Sequence, residues 1–266
     1  MGIVDQAKAL RARLVENTMP QRFVFHHVPK CGGTSVGRAL RKRYILSQAT
    51  VKPDQSFFAF EAYSGRSDRE AMLVDVAELR EQMMLYHMFD DVHCVSLHVP
   101  FSDIAHARFA ERYKFITVLR EPVARFVSHY FWSYQKPNDH ARIEEDFETF
   151  LGTERARRLG ASYVEYYSGA PMAPDLAEPE LIARAIANLR ERFDVVGRLD
   201  DLPGFEASLH QALGVRIKVG HENKARQPQA TRKTMVTPEL MARAREVCAP
   251  DIAVWDAMFG AGGADD

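Results

Sequence analysis

The segment 23–35, FVFHHVPKCGGTS, runs from an apolar stretch into a short loop of small residues that opens a helical pattern. Loops of this kind turn successive backbone N–H groups toward one point, and the positive end of the following helix adds to their pull on an anion. Lys30 supplies a full charge at the same place. The chemistry suggested is the holding of a phosphate or a related oxyanion, with Gly32, Gly33, Thr34 and Ser35 as backbone and hydroxyl donors. The nucleotide-triphosphate loop GxxxxGK[ST] places its lysine after the glycines, whereas Lys30 precedes Gly32 and Gly33. A plain strand–turn–helix junction with a solvated lysine is the competing reading.

A second group of candidates lies at 114–130, KFITVLREPVARFVSHY. The unbroken apolar run 115–119 reads as a parallel strand buried on both faces, which puts Arg120 at its carboxyl end, where ligands of open α/β sheets bind. Glu121 and Pro122 suit the first turn of a helix whose apolar residues Val123, Phe126, Val127, Tyr130, Phe131 and Tyr134 recur at helical spacing. Ser128 falls off that stripe, on the side of Arg125, which leaves its hydroxyl for a ligand. An arginine fork grips phosphate oxygens bidentately, and a serine hydroxyl completes the ring of donors. Arg120 paired with a carboxylate, and Ser128 as ordinary helix surface, is the alternative.

The order PK-x-GGTS resembles the 5′-phosphosulfate loop of sulfotransferases that use 3′-phosphoadenosine 5′-phosphosulfate (PAPS), and Arg120 with Ser128 resembles their 3′-phosphate site. Between the two, VSLHVPF at 95–101 is similar to the catalytic histidine segment of the glycan sulfotransferases, the heparan sulfate 2-O and chondroitin-type enzymes. SYVEYYSG at 162–169, ANLRERFDVVG at 187–197, the stretch 199–213 and HENK at 221–224 follow that family's pattern in order, so the likeness covers about 22–235.

The resemblance implies a transfer of SO3 from PAPS to an acceptor hydroxyl, with 3′-phosphoadenosine 5′-phosphate as the product nucleotide and no metal. His98 is the implied general base, since a neutral imidazole is the usual device for taking a hydroxyl proton. Lys30 is the second implied catalytic residue, offsetting charge on the phosphate leaving group. Cys31 through Ser35 would line the 5′-phosphate, and Arg120 and Ser128 the 3′-phosphate. Cys31 stands where relatives often carry threonine or alanine; beside a lysine and a helix start its thiol would be acidified and open to alkylation. The polar stretch 221–233, with Lys224, Arg226, Arg232 and Lys233, resembles the loop that closes over the nucleotide. His26 and His27 compete weakly for a role as a histidine pair at a strand end, and His93 more weakly still. Arg38, Arg41, Lys42 and Arg43 read as the wet face of the first helix of the fold.

To position these residues the chain needs a sheet. Strand-like runs near 22–28, 56–61, 92–98, 114–119 and 194–197 alternate with helical patterns near 34–44, 68–88, 102–110, 121–135, 179–193, 201–213 and 237–248. Such alternation predicts an α/β three-layer sandwich with a central parallel sheet, which the resemblance refines to the P-loop-like sulfotransferase fold. The expected organisation is an N-terminal helical extension at 1–20, one sulfotransferase domain at 21–259 and a disordered tail at 260–266. At 266 residues and 46% apolar content the chain buries a substantial core.

A formal charge of −1, from 35 basic and 36 acidic residues, provides no global field for nucleic acid or an anionic membrane. The first twenty residues lack the apolar centre of a signal peptide, and no run of about twenty apolar residues follows. Three scattered cysteines make no disulfide framework. The expectation is a cytoplasmic, bacterial-type enzyme, unlike the membrane-anchored Golgi members of the resembled family. Its partner would be a small-molecule, oligosaccharide or glycolipid acceptor. The rival readings are a P-loop-type kinase or NTPase and a non-catalytic nucleotide-binding protein. The first is disfavoured because GK[ST] is missing after the glycines and because Asp90 and Asp91 precede a strand where Mg²⁺ chemistry wants an acidic residue at a strand end, the second by His98.

Overall fold

The computed structural model describes residues 2–68, 72–134, 136, 142–220 and 235–260. The chain divides into two compact units, a sheet unit of residues 1–27, 33–118 and 192–220 and a helical unit of residues 28–32, 119–191 and 221–266.

The sheet unit holds α1 (Ile3–Thr18), β1 (Arg22–His26), α2 (Gly33–Arg43), β2 (Gln48–Val51), α3 (Pro53–Ser64), α4 (Leu73–Phe89), β3 (Cys94–Leu97), α5 (Asp103–Phe109), β4 (Tyr113–Leu119), β5 (Val195–Arg198) and α11 (Leu202–Leu213). The strands form one parallel sheet in the order β2-β3-β1-β4-β5, with β1 at its centre. His26 pairs with Leu97 on one side and Thr117 on the other, so β1, β3 and β4 end along a common edge.

Alternation along the strands fills two cores. Phe23 and Phe25 of β1 and Ile116 and Val118 of β4 face one core, which is closed by Val15 of α1 and Met19 just after it, Val36 and Leu40 of α2 and Tyr44 just after it, and Phe205, Leu209 and Leu213 of α11. His26 and Phe115 face the other way, against Phe101 and Phe193. The expected α/β sandwich with a central parallel sheet is therefore present.

One expected strand is absent. The aromatic run near 56–61 is not β but the middle of α3, and β2 lies just before it at Gln48–Val51. Pro53 starts α3, Gly65 ends it in a left-handed conformation (φ 70°), and Phe57 is 4% exposed while Phe58 is 54% exposed, as a helix surface requires. The helix expected near 68–88 begins at Leu73.

The helical unit contains α6 (Pro122–Ser133), α7 (Phe147–Leu151), α8 (Glu154–Gly160), α9 (Ser162–Tyr167), α10 (Pro179–Glu191), α12 (Pro238–Val247) and α13 (Ala249–Phe259). Its core packs Val123, Phe126, Tyr130 and Phe131 of α6 against Phe147, Phe150 and Leu151 of α7. Glu121 caps α6 by accepting from the amides of Val123 (3.0 Å) and Ala124 (2.6 Å). Among the described residues no helix is long and apolar enough to cross a membrane.

His26 makes the sheet unit acid-sensitive. Its Nδ1 lies 2.9 Å from the Val99 carbonyl, the side chain is wholly buried, and burial pushes its pKa down to about 4. An unfolded histidine takes its proton near pH 6.5, so this group's stabilisation is complete above that pH and is lost as pH falls toward 4. The loss reaches about 3 kcal/mol, at about 1.4 kcal/mol per pH unit. We expect His26→Phe to flatten urea-unfolding free energy against pH by that slope between pH 6.5 and 4.5; an unchanged slope would refute the assignment.

Candidate functional site

In the sheet unit, β1 is prolonged by one residue, since the His27 amide donates to the Leu97 carbonyl at 3.0 Å. The His27 ring stacks on Phe25 with centroids 5.9 Å apart and planes 6° apart, and its centroid lies 4.0 Å from that of His98. Gly33 opens α2. A β-carbon there would sit 1.8 Å from His27 Cδ2, so the position takes glycine for lack of space, not for a left-handed φ. Thr34 is exposed and Ser35 half-buried.

His98 follows β3 at the same sheet edge. Burial pushes its pKa down to about 4, against the opposing effect of a hydrogen bond to the His27 backbone, with a further lowering from the Arg80 charge. Its Nδ1 is buried and meets no partner among the described residues. A ring N–H committed to a carbonyl fixes the tautomer and leaves the lone pair on the other nitrogen. His98 is therefore a neutral imidazole at physiological pH.

In the helical unit, the loop 28–32 is folded by the Cys31 amide bonding back to the Val28 carbonyl at 3.3 Å. Lys30 and Gly32 both take left-handed φ values, 71° and 72°. Glycine does so freely, but a lysine in that region is held there by its surroundings at a cost in strain. The Lys30 ammonium lies 5.3 Å from the centre of the Trp132 ring, and that of Lys136 lies 3.7 Å from it. Arg120 Nη1 reaches the Lys30 carbonyl at 3.4 Å.

Tyr163 fixes the Arg120 backbone from both sides: its hydroxyl accepts from the Arg120 amide at 2.9 Å and donates to the Arg120 carbonyl. The same hydroxyl lies 3.6 Å from Cys31 Sγ. Ser128 is half-buried on α6. His129, next to it, has its pKa pushed down to about 3 by burial and by the charges of Arg125, Lys30, Arg155 and Lys136.

Two sequence expectations are overturned. Arg125 does not share an open helix face with Ser128; it is wholly buried, 3.3 Å from Asp251 and also bonded to the Leu159 carbonyl. Cys31 is not an acidified thiol. It is fully buried, and burial raises its pKa above the ordinary value in spite of Arg125 and the Tyr163 contact. Lys224, Arg226, Arg232 and Lys233 lie outside the described residues.

Sequence reasoning missed Tyr163, Trp132 and Lys136. Trp132 stands one turn beyond Ser128 on α6, and that spacing was the available signal. Elsewhere in the helical unit, a cleft of about 750 Å³ is lined by Glu154, Arg157, Arg158, Leu176 and Glu246 and holds none of the residues singled out above.

A family model described as the sulfotransferase family matches residues 18–247. The chain belongs to the sulfotransferase family, whose members are transferases of sulfuryl groups. No curated protein gives a significant match.

The burial of Cys31, Cys94 and Cys248 makes a chemical prediction. With thiol pKa values raised by burial, all three should resist iodoacetamide at pH 7.5 in the native protein and label fully in denaturant. Peptide mapping that found native Cys31 alkylated would contradict its placement.

Proposed function

We propose that the chain transfers a sulfuryl group from PAPS to a hydroxyl of a carbohydrate or glycolipid, within one functional domain at 21–259. The observation that carries the donor assignment is the loop after β1. Its lysine is held left-handed and gathered with Lys136 on an aromatic ring, and glycine is imposed at Gly33, where α2 begins. A loop with two ammonium groups on its side, running into a helix N-terminus that begins at a glycine, suits an anionic phosphosulfate. Lys30, Cys31, Gly32, Gly33, Thr34 and Ser35 would hold the 5′-phosphosulfate, and Arg120 and Ser128 the 3′-phosphate. The likeness to glycan sulfotransferases supports the acceptor class.

In the transfer, the acceptor hydroxyl gives its proton to the free nitrogen of His98 as its oxygen bonds to sulfur. The bond from sulfur to the bridging oxygen of the 5′-phosphate breaks, and the electron pair leaves with 3′-phosphoadenosine 5′-phosphate. Lys30 offsets the charge growing on that oxygen. Positioning and charge stabilisation do most of the work, as in phosphoryl transfer.

Calorimetric titration with 3′-phosphoadenosine 5′-phosphate, alongside ATP with Mg²⁺, tests the donor. Micromolar binding of the first, lost or weakened about tenfold or more in Arg120→Ala, is the expected result; preference for Mg-ATP would sink the proposal in favour of a kinase. Lys30→Ala should cut turnover, and His98→Ala should cut it by roughly 10²–10⁴-fold while leaving nucleotide affinity nearly intact. Because the neutral form of His98 is the active one and burial holds its pKa to about 4, the wild-type rate should stay level down to about pH 5 and fall as pH drops through 4. A limb near pH 6.5 would remove His98, in this buried form, from the role of base.

A further inference from the structure

We propose that His27 is a positioning residue, an imidazole wedge that ties the orientation of the base His98 to the seat of the anion-binding loop at Gly33. The inference rests on the reading of His98 as the base. Its observations all lie in the sheet unit.

The His27 ring occupies the space that any side chain at Gly33 would need, with Cδ2 at 1.8 Å, Nε2 at 1.9 Å and Cε1 at 2.3 Å from an added β-carbon. The ring therefore lies flush against the first residue of α2. Two further rings lie against it: Phe25, stacked at 5.9 Å, and His98, tilted by 41° at 4.0 Å. Its backbone is pinned by the amide bond to Leu97, and His98 itself bonds to the His27 backbone.

Though half-buried, a ring wedged against these neighbours transmits displacement, because packed side chains yield little before their neighbours move. If the Gly33 end of the loop shifts by a fraction of an ångström, the His27 ring must swing, and one of the rings it then presses is the base. Conversely, a His98 ring held by His27 keeps its lone pair in one direction. The coupling needs no proton exchange at His27. The groups facing His98 are the His27 ring from the end of β1 and the Arg80 charge from α4.

A size-complementation cycle tests this. The backbone at Gly33 is not left-handed, so alanine is sterically forbidden there by the His27 ring and not by φ. Gly33→Ala should lower the melting temperature and weaken 3′-phosphoadenosine 5′-phosphate binding by about tenfold or more, as overpacking does. Adding His27→Ala to Gly33→Ala should restore most of both. In His27→Ala alone, the His98 titration followed by imidazole NMR should move from about 4 toward 6.5, as water reaches a ring that was covered. His27→Phe, which keeps a planar ring, should leave that titration low.

Equal damage from Gly33→Ala in both backgrounds, with an unchanged His98 titration in His27→Ala, would overturn the proposal. Should the alanine variant fail to fold, His27→Leu gives the same comparison with a side chain flexible enough to yield. The melting temperatures and the NMR titration need no nucleotide. A wild-type protein that bound no 3′-phosphoadenosine 5′-phosphate would thus refute the donor assignment while these two measurements still decided the wedge.

Discussion

The helical unit is organised around a buried ion pair that no substrate is expected to touch. Arg125 and Asp251 lie 3.3 Å apart and both are fully inaccessible. Two charges taken out of water cost several kcal/mol each, and the remaining hydrogen-bonding capacity of this pair is only partly met, since Arg125 Nε and Nη1 find no partner among the described residues. Asp251 meets part of it by accepting from the amide of Tyr163 at 2.7 Å and of Val164 at 3.4 Å. Burial still raises the Asp251 pKa above the ordinary carboxylate range, against the pull of Arg125. What the arrangement gains is rigidity at the start of α9. From there the Tyr163 hydroxyl reaches the Arg120 amide and carbonyl and approaches the Cys31 sulfur, so the backbone of a proposed phosphate ligand is held by a carboxylate two contacts away.

The sheet unit sets its side of the geometry by a different constraint. A central strand is hydrogen-bonded on both edges, so the chain leaving β1 cannot splay and must turn at once. The turn is made with left-handed φ at Lys30 and Gly32. Strain of this kind costs roughly 1–3 kcal/mol at a non-glycine residue, and it survives because packing on the adjoining residues over-determines it. His27 and Gly33, the residues on either side of the loop, are themselves locked together by contact within the sheet unit.

The sequence made β1, β3, β4 and β5 legible because each is a short apolar run, and it singled out Lys30, Arg120 and His98 as proposed site residues because local order carries their chemistry. It hid α3, since SFFAFE has the composition of a strand and only the flanking Pro53 and Gly65 mark a helix. It hid Tyr163 because the partner of that hydroxyl is 43 residues away, and Asp251 because its amide partner is 88 away. Arg125 was misread for a physical reason: on a helical wheel a charge reads as solvent face, and a long-range carboxylate is what reverses that. Cys31 was misread for a similar one. Proximity to a lysine along the chain suggests a thiolate, whereas burial outweighs the neighbouring charges.

A balanced chain can still present a strongly positive place. The formal charge is −1, yet Arg125, Lys30, Arg155 and Lys136 together with burial push His129 to about 3, so four cations are felt at one imidazole. The buried Asp251 faces Arg125, and Lys30 and Lys136 share the Trp132 ring, whose π face moderates their mutual repulsion. With net charge near zero, the field of such a cluster is cancelled beyond a few Debye lengths, about 8 Å each at physiological salt. Steering from a distance is therefore weak, and a polyanionic ligand would be selected at contact, by charge and hydrogen bonding at close range. That is the behaviour expected of the donor site proposed above.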